Sequence, residues 1–395
     1  MTDKKLLSIK LQSPLDEHAK ESMDNNLPYL STSITSYQIT SDFIHLEVKP
    51  GTDTTALEQS VHELLKKIKP LKSIPVKVLF DQSSASFLEK GDVFSALVDK
   101  GDVIILQEGF VALKGLPLHM FMVLDDQLKK FAKTQYAEPI LLPVTVHFDD
   151  LTPAHYFQRT PQHANFISPL EEEAKNISDF SKLVDGKNKN EETSLKPYLK
   201  EPKCICRSAV CLNCYPTLRN AVFKNDQSLV YTAEGRVFRH EYKKVTSLER
   251  LFEFSCREII YFGSKDFVKT KLLECENWFK NFLTEFKLNS SIKAASDPFF
   301  QENARALQFY QVAEDSKFEI RVMNPFSGND VSIGSMNFHG FHFSKAFNIT
   351  FENKEFVFSG CVGFGLERTI FTVLAQYGIE TKKWPENLKA FFEIV

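Results

Sequence analysis

The residues best suited to chemistry fall in two short segments far apart in the chain. One is Phe238-Arg239-His240-Glu241; the other is Cys361-Val362-Gly363-Phe364-Gly365-Leu366-Glu367-Arg368. An arginine presents a planar, permanently charged fork that matches a phosphate or a carboxylate. Arg239 falls near the end of an apolar, strand-like run. Arg368 follows a glycine-rich turn and opens an apolar helix-like run. Two such cations can grip opposite ends of a triphosphate. Gly363 and Gly365 permit a tight turn and close backbone approach. A first-turn arginine also sits against the helix dipole, at a typical cost of ~0.3–1 kcal/mol, which argues for a binding role. Between the two segments come Arg250 and Phe254. In a hairpin, Arg250 can reach a terminal phosphate while Phe254 stacks on a base, a contact worth ~1–3 kcal/mol. The bland alternatives are a salt-bridged surface hairpin and a plain glycine turn, since neither segment is specific alone.

Cysteine adds a second chemistry. Cys204, Cys206, Cys211 and Cys214 form a C-x-C-x4-C-x2-C run that has the spacing of a local four-cysteine zinc site. A different set draws on distant segments: Cys214, Glu258 and Cys361. Three protein ligands with one open position is the pattern of a zinc that binds substrate rather than one that staples a fold. Buried, inert thiols are the third possibility.

These side chains need a frame. Residues 230–241 and 251–262 are two apolar, β-rich runs joined by a charged loop. Residues 266–288 have helical spacing, 317–323 and 331–338 read as a strand pair, 356–364 as a strand and 366–377 as a strongly apolar helix. That order suits an antiparallel sheet with helices on its faces, not a doubly wound parallel sheet. Upstream, residues 124–136 read as an amphipathic helix with Leu128, Phe131 and Ala132 on one face. An extended segment with Pro139 and Pro143 follows, as befits a sheet edge or an interface. Residues 180–203 are the most polar stretch and read as a loop or ordered insertion. Near the N-terminus, strand 43–48, helix 55–68 and strand 75–80 suggest a small β-α-β module. The expected division is an accessory α+β domain over 1–120 and a catalytic domain over 121–395.

Composition narrows the class. The chain has 395 residues, enough for two or three domains, with 43% hydrophobic and 25% charged residues. A formal net charge of −3 gives no support for a strong nucleic-acid footprint. No apolar run is long enough to span a bilayer, and no signal-like core opens the chain. Seven cysteines without such a signal point to a reduced, cytoplasmic setting.

Taken in order, Cys214-Tyr215-Pro216, Phe238-Arg239-His240-Glu241, the segments 256–263, 296–300, 317–320 and 335–349, and the stretch 359–368 resemble class II aminoacyl-tRNA synthetases. Within that class they are most similar to amino acid:[carrier protein] ligases, homologues of the catalytic domain of methanogen-type seryl-tRNA synthetases. The resemblance covers roughly residues 125–390. It implies an α+β fold, an antiparallel sheet flanked by helices, and a homodimer formed through helix 124–136 and the proline strand. It implies formation of an aminoacyl-adenylate from ATP, with Mg2+, and a small amino acid such as glycine or alanine. Transfer to the phosphopantetheine thiol of a carrier protein would follow. Charging of tRNA by an atypical zinc-dependent seryl-tRNA synthetase, and a non-catalytic paralogue, are the alternatives.

Roles follow from the same resemblance. Cys214, Glu258 and Cys361 match zinc ligands that hold the amino group. Arg239 matches the arginine on the α-phosphate and substrate carboxylate. Glu241 and Ser335 would contact ATP, Phe254 would stack on adenine, and Arg250 and Arg368 would hold the γ-phosphate. Asp297, Lys317 and Asn337 match substrate-pocket positions. Ser332 stands where seryl synthetases carry an acidic metal-binding residue just before their Ser-x-Asn segment.

Overall fold

The structure is a computed structural model that describes residues 5–15, 17–68, 76–185, 194–240, 245, 247–295 and 315–394. It divides into two compact units. The smaller is built on Met1–Lys77; the larger holds Val78–Glu241, Val245–Ala294 and Asp315–Val395.

In the smaller unit the strand Phe43–Val48 is central. It pairs antiparallel with Lys5–Lys10 on one side and Ile34–Ile39 on the other. Its period-2 alternation buries Ile44, Leu46 and Val48, as the sequence predicts. Helix Thr54–Ile68 adds Leu57, Val61 and Leu65 to the same core. The expected return strand is Val78–Asp81, and it belongs elsewhere: it pairs with Ser290–Ala294 in the larger unit. Gln82 reinforces that attachment, its Nε2 donating to the carbonyls of Leu283 and Leu288. Phe94 likewise packs edge-on against Phe371. The unit boundary therefore falls at 77/78, where the sequence reading put it at 120.

The larger unit is organised by an eight-stranded sheet. Its order is Val78–Asp81, Ser290–Ala294, Lys317–Met323, Asp330–Gly340, Phe358–Gly365, Glu253–Gly263, Leu229–Phe238 and Glu138–Pro139. All neighbours are antiparallel except the last, a two-residue parallel edge where a proline does no harm. Three long helices, Gly115–Thr134, Lys265–Glu285 and Leu366–Tyr377, pack on this sheet. Among the described residues, no helix is long and apolar enough to cross a membrane.

Alternation sorts the sheet into two faces. On Glu253–Gly263, Phe254, Cys256 and Glu258 point one way and Arg257 and Ile259 the other. Arg257 meets the buried Asp125 of helix Gly115–Thr134, with Nη2 3.0 Å from Oδ2, and also reaches Thr232. Trp278 and Phe279 of helix Lys265–Glu285 pack on Phe364. The opposite face is hollowed by register. Glu258 lies across from Ala233 and Gly363, and Cys256 across from Gly235 and Gly365. Small residues thus flank the carboxylate on both neighbouring strands.

Between Glu138–Pro139 and Leu229–Phe238 the chain builds an insertion. Strands Thr145–His147, Asn165–Ile167 and Cys204–Cys206 form a small antiparallel sheet with its own core of Val146, Leu151, Tyr156 and Ile205. The polar stretch read as a loop or ordered insertion begins inside a helix, Ala174–Asp185, that buries no residue completely.

The ion pair of Asp125 and Arg257 tests this frame. Asp125→Ala should destabilise the protein by ~3–5 kcal/mol in chemical denaturation, because it strands a buried guanidinium. Asp125→Leu combined with Arg257→Met should recover most of that loss; a double variant as unstable as the single would refute the account.

Candidate active site

The cationic half of the site gathers on one ring. The Arg239 guanidinium lies 5.3 Å from the centroid of Phe254, and that of Arg368 lies 5.6 Å from it. Cation–π attraction holds both side chains against the ring. Arg239 is steadied further by Nε donating to the Ser208 carbonyl at 3.2 Å. Arg368 donates from Nη1 to the carbonyl of Ser332 at 3.2 Å. Next to Arg368, buried Glu367 accepts the Ser255 N–H at 2.8 and 3.0 Å and a bond from Arg236. The start of helix Leu366–Tyr377 is thereby tied to the residue beside Phe254.

The anionic half sits in the hollow of the sheet. Cys211, Glu258 and Cys361 are buried, and their donor atoms all lie within 4.8 Å of one another. Glu258 accepts the backbone N–H groups of Val210 and Cys211 at 3.0 and 2.8 Å. Those bonds anchor the first turn of the short 3-10 helix Val210–Asn213. Burial, then the neighbouring Cys361, push the Glu258 carboxyl up to about 7. The Cys361 thiol is held well below its usual value, chiefly by a hydrogen bond from Cys211, whose own thiol is pushed well up. Two thiols and a carboxylate this close match the donor chemistry of zinc, whose bonds run ~2.3 Å to sulfur and ~2.0–2.2 Å to oxygen.

The structure gathers a different cysteine from the one expected. The sequence reading gave Cys214, yet Cys211 completes the trio. Residues three apart on a 3-10 helix face the same way, and Cys214 is indeed close enough for Glu258 and Cys361 to help burial raise its thiol to about 12. The bonds to Glu258, however, bring the earlier turn nearer. The local four-cysteine site does not form: Cys204 and Cys206 lie on a strand of the insertion, and among the described residues the only group of three or more potential metal donors is Cys211, Glu258 and Cys361.

Other expected positions line the same face. Asn337 is paired in register with both Lys317 and Cys361. Its Nδ2 donates to Ser335 Oγ at 3.0 Å and approaches Cys361 Sγ at 3.7 Å. Lys317 is nearly buried and ion-pairs with Glu319 at 3.2 Å. Arg250 ends the turn that starts at Ser247, beside Glu249, which binds the side chains of Asn324, Ser327 and Asn329. Glu241 and Asp297 lie outside the described residues.

Sequence reasoning missed the supports. Arg207 is fully buried and donates to the carbonyls of Arg236, Leu142 and Pro143. Gly235 makes room for it: a Cβ there would lie 1.8 Å from Arg207 Nη2. Tyr156 Oη meets Ser208 Oγ at 2.8 Å, behind the carbonyl that steadies Arg239. Nothing in local spacing marks such partners; they meet only through the sheet.

Comparison with known proteins bears on the family and the fold. Residues 201–377 match the family model of the tRNA synthetase class II core domain (G, H, P, S and T). The chain is a homologue of the catalytic domain of class II synthetases and has their α+β fold. It is 28% identical over 286 residues to the type-2 serine–tRNA ligase of Methanopyrus kandleri, covering 68% of this chain and 54% of that protein. It is 26% identical over 276 residues to the corresponding ligase of Methanococcus maripaludis, covering 68% and 52%. The chain thus spans about half the length of the curated relatives it matches. Among solved structures, the M. kandleri SerRS in complex with A. aeolicus tRNASec superposes with a TM-score of 0.71 at 19% identity, over 99% of this chain and 96% of that one. The cytoplasmic serine–tRNA ligase of Naegleria fowleri, bound to AMP, gives 0.59 at 11% identity, over 87% and 72%.

Cysteine variants separate the two ligand assignments. Cys211→Ser should lose stoichiometric zinc, measured by elemental analysis, while Cys214→Ser retains it; the reverse result would restore the sequence assignment. Acid should also weaken metal binding. Below about pH 7 the metal-free Glu258 carries a proton that the metal must expel. Chelator competition should therefore show affinity falling more steeply with acidity below pH 7 than above it. The same raised value means that the metal-free fold binds more protons than the unfolded chain between pH 4.5 and 7. Its stability should accordingly rise as pH falls through that window.

Proposed function

We propose that this chain activates an amino acid with ATP, as a ligase of the aminoacyl-tRNA synthetase type. The observation that carries the reading is the convergence of Arg239 and Arg368 on the ring of Phe254, beside a compact Cys-Glu-Cys donor trio. Arg239 holds the substrate carboxylate against the α-phosphate of MgATP, and Arg368 takes the far end of the triphosphate. Phe254 carries the adenine. The carboxylate then attacks the α-phosphorus in line and pyrophosphate leaves, so the protein's work is positioning and charge neutralisation. Cys211, Glu258 and Cys361 are the residues that would hold zinc, which when bound offers a Lewis-acid position for the substrate amino group. Asn337 and Lys317 line the amino-acid side of the pocket, and Ser335, Arg250 and Glu241 serve the ATP side.

The relatives favour one acceptor. All those named above as matching in sequence are serine–tRNA ligases, which supports serine as the amino acid and tRNA as the acceptor. The structural match also covers 99% of the chain where the sequence match covers 68%, so likeness to a tRNA-binding synthetase extends beyond the catalytic core. Transfer of glycine or alanine to the thiol of a carrier protein, which the sequence resemblance favoured first, is the second reading. The net charge of −3 supports it, because it provides no overall cationic attraction for RNA. In either case a homodimer is expected through helix Gly115–Thr134, whose Leu118 and Met122 are exposed, as are Tyr136 and Leu141 beyond its end.

Amino-acid-dependent exchange of pyrophosphate into ATP tests the first half-reaction. Serine-dependent exchange followed by charging of tRNA supports the first reading, and exchange with glycine or alanine followed by thioester formation on holo-carrier protein supports the second. No exchange with any amino acid would leave a non-catalytic paralogue. Arg239→Ala should abolish exchange without unfolding the protein. Phe254→Ala should raise the ATP KM roughly 5- to 150-fold, the equivalent of ~1–3 kcal/mol of stacking. An unchanged KM would remove Phe254 from the nucleotide site.

A further inference from the structure

Behind Cys361 lies a polar relay that neither the ligand trio nor the nucleotide site uses. Tyr215 is completely buried and its ring is fixed on three sides. It stacks on Phe343 at 4.1 Å, meets Phe262 edge-on at 5.4 Å and lies parallel to Phe347 at 6.3 Å. Its hydroxyl meets His339 Nδ1 at 2.7 Å. The other ring nitrogen of His339, Nε2, lies 3.7 Å from Cys361 Sγ. His339 also packs edge-on against Phe343 at 5.1 Å, so its ring plane is set from two sides.

The backbone is shaped for this contact. The pairing of Asp330–Gly340 with Phe358–Gly365 slips between Phe338 and Gly340, which makes His339 the extra residue of a β-bulge. Gly340 follows with φ of +59°, a conformation glycine adopts without steric cost. Bulges re-aim a side chain out of the regular ladder. Here the side chain that is re-aimed is the imidazole facing the sulfur. His339 itself is not one of the compact donors, which are Cys211, Glu258 and Cys361.

We propose that Tyr215 and His339 form a positioning pair that donates an N–H···S hydrogen bond to Cys361 and fixes its sulfur as a metal ligand. The proposal rests on the metal reading of the trio. A metal-bound cysteine is a thiolate and has no proton to give. His339 must therefore donate from Nε2, which leaves Nδ1 to accept the Tyr215 O–H. The tautomer is dictated by both ends of the relay. Asn337 Nδ2, also 3.7 Å from the sulfur, supplies a second donor. Outer partners of this kind orient a ligand and tune its donation to the metal.

The test uses the full chain stripped of metal and reloaded with Co2+, whose thiolate-to-metal charge-transfer band reports on the sulfur directly. His339→Leu should still bind cobalt, with that band moved to longer wavelength and affinity lowered ~10–100-fold. Tyr215→Phe keeps the packed ring and should move the band the same way. His339→Gln, whose amide N–H can stand in for Nε2–H, should return the band toward its original position. A band unmoved in both His339→Leu and Tyr215→Phe would overturn the pair while leaving the metal site intact. So would loss of a coordinating atom from the cobalt spectrum in His339→Gln, since His339 would then be a ligand. Absence of any thiolate band in the unsubstituted protein would overturn the metal reading itself, and this inference with it.

Discussion

A carboxylate buried in the middle of a sheet is expensive unless something satisfies it, and the site is built around how Glu258 is satisfied. The antiparallel register supplies the space, since Ala233 and Gly363 stand directly across from it. Backbone N–H groups of Val210 and Cys211 supply the hydrogen bonds. Those bonds pull the connection between the insertion and the sheet into contact with the hollow. Cys211 is thereby carried to Cys361, and Tyr215, four residues on, to His339. One desolvated carboxylate thus selects which cysteine joins the trio. Burial pushes its carboxyl up to about 7, and a divalent cation bound beside it would offset that cost.

The cationic half obeys a complementary constraint. Arg239 and Arg368 carry like charges toward one aromatic ring, and their mutual repulsion has to be held in check by fixed partners. Two carbonyls do this, those of Ser208 and Ser332. Glu367 does more. As the first acidic residue of helix Leu366–Tyr377 it interacts favourably with the helix dipole that Arg368 opposes. By gripping the Ser255 N–H and Arg236 it also locks the helix start to the strand that carries Phe254. The approach of Arg368 to the ring is therefore also braced by a neighbouring pair, Glu367 and Ser255. On the proposed function, a triphosphate would meet positive charge whose placement has already been achieved in folding.

Much of this was legible in the sequence because it depends on local periodicity. Strand Lys317–Met323 and helix Leu366–Tyr377 have the predicted bounds, and the antiparallel architecture follows from short apolar runs separated by turns. Arg239, Phe254 and Arg368 could be chosen by residue type and position relative to those elements. What escaped depends on contacts between distant segments. Cys211 and Cys214 are indistinguishable by spacing, since both fall on the same side of successive 3-10 turns; only Glu258, more than forty residues on, separates them. Gly235 and Arg207 explain each other only once a guanidinium lies over the sheet. Residues 78–81 look like the end of the first module because a strand carries no local label for the sheet it will join.

The insertion shows how a polar, unpromising stretch can still serve the chemistry. Its small sheet has a core of its own. It then touches the site at two points. Tyr156 bonds to Ser208, whose carbonyl steadies Arg239. The carbonyl of Ala154 meets His342 Nε2 at 3.0 Å, three residues beyond the imidazole that faces Cys361. Residues 154–156 therefore lie behind both the cationic half and the Cys-Glu-Cys trio. A shift of the insertion would reach Arg239 through Ser208 and the Cys361 surroundings through helix His342–Phe347 together. On the proposed function, a wall that bears on both halves would couple the geometry of the nucleotide to that of the amino acid. In-line attack requires that coupling, because it succeeds only when carboxylate and α-phosphate are aligned at the same moment.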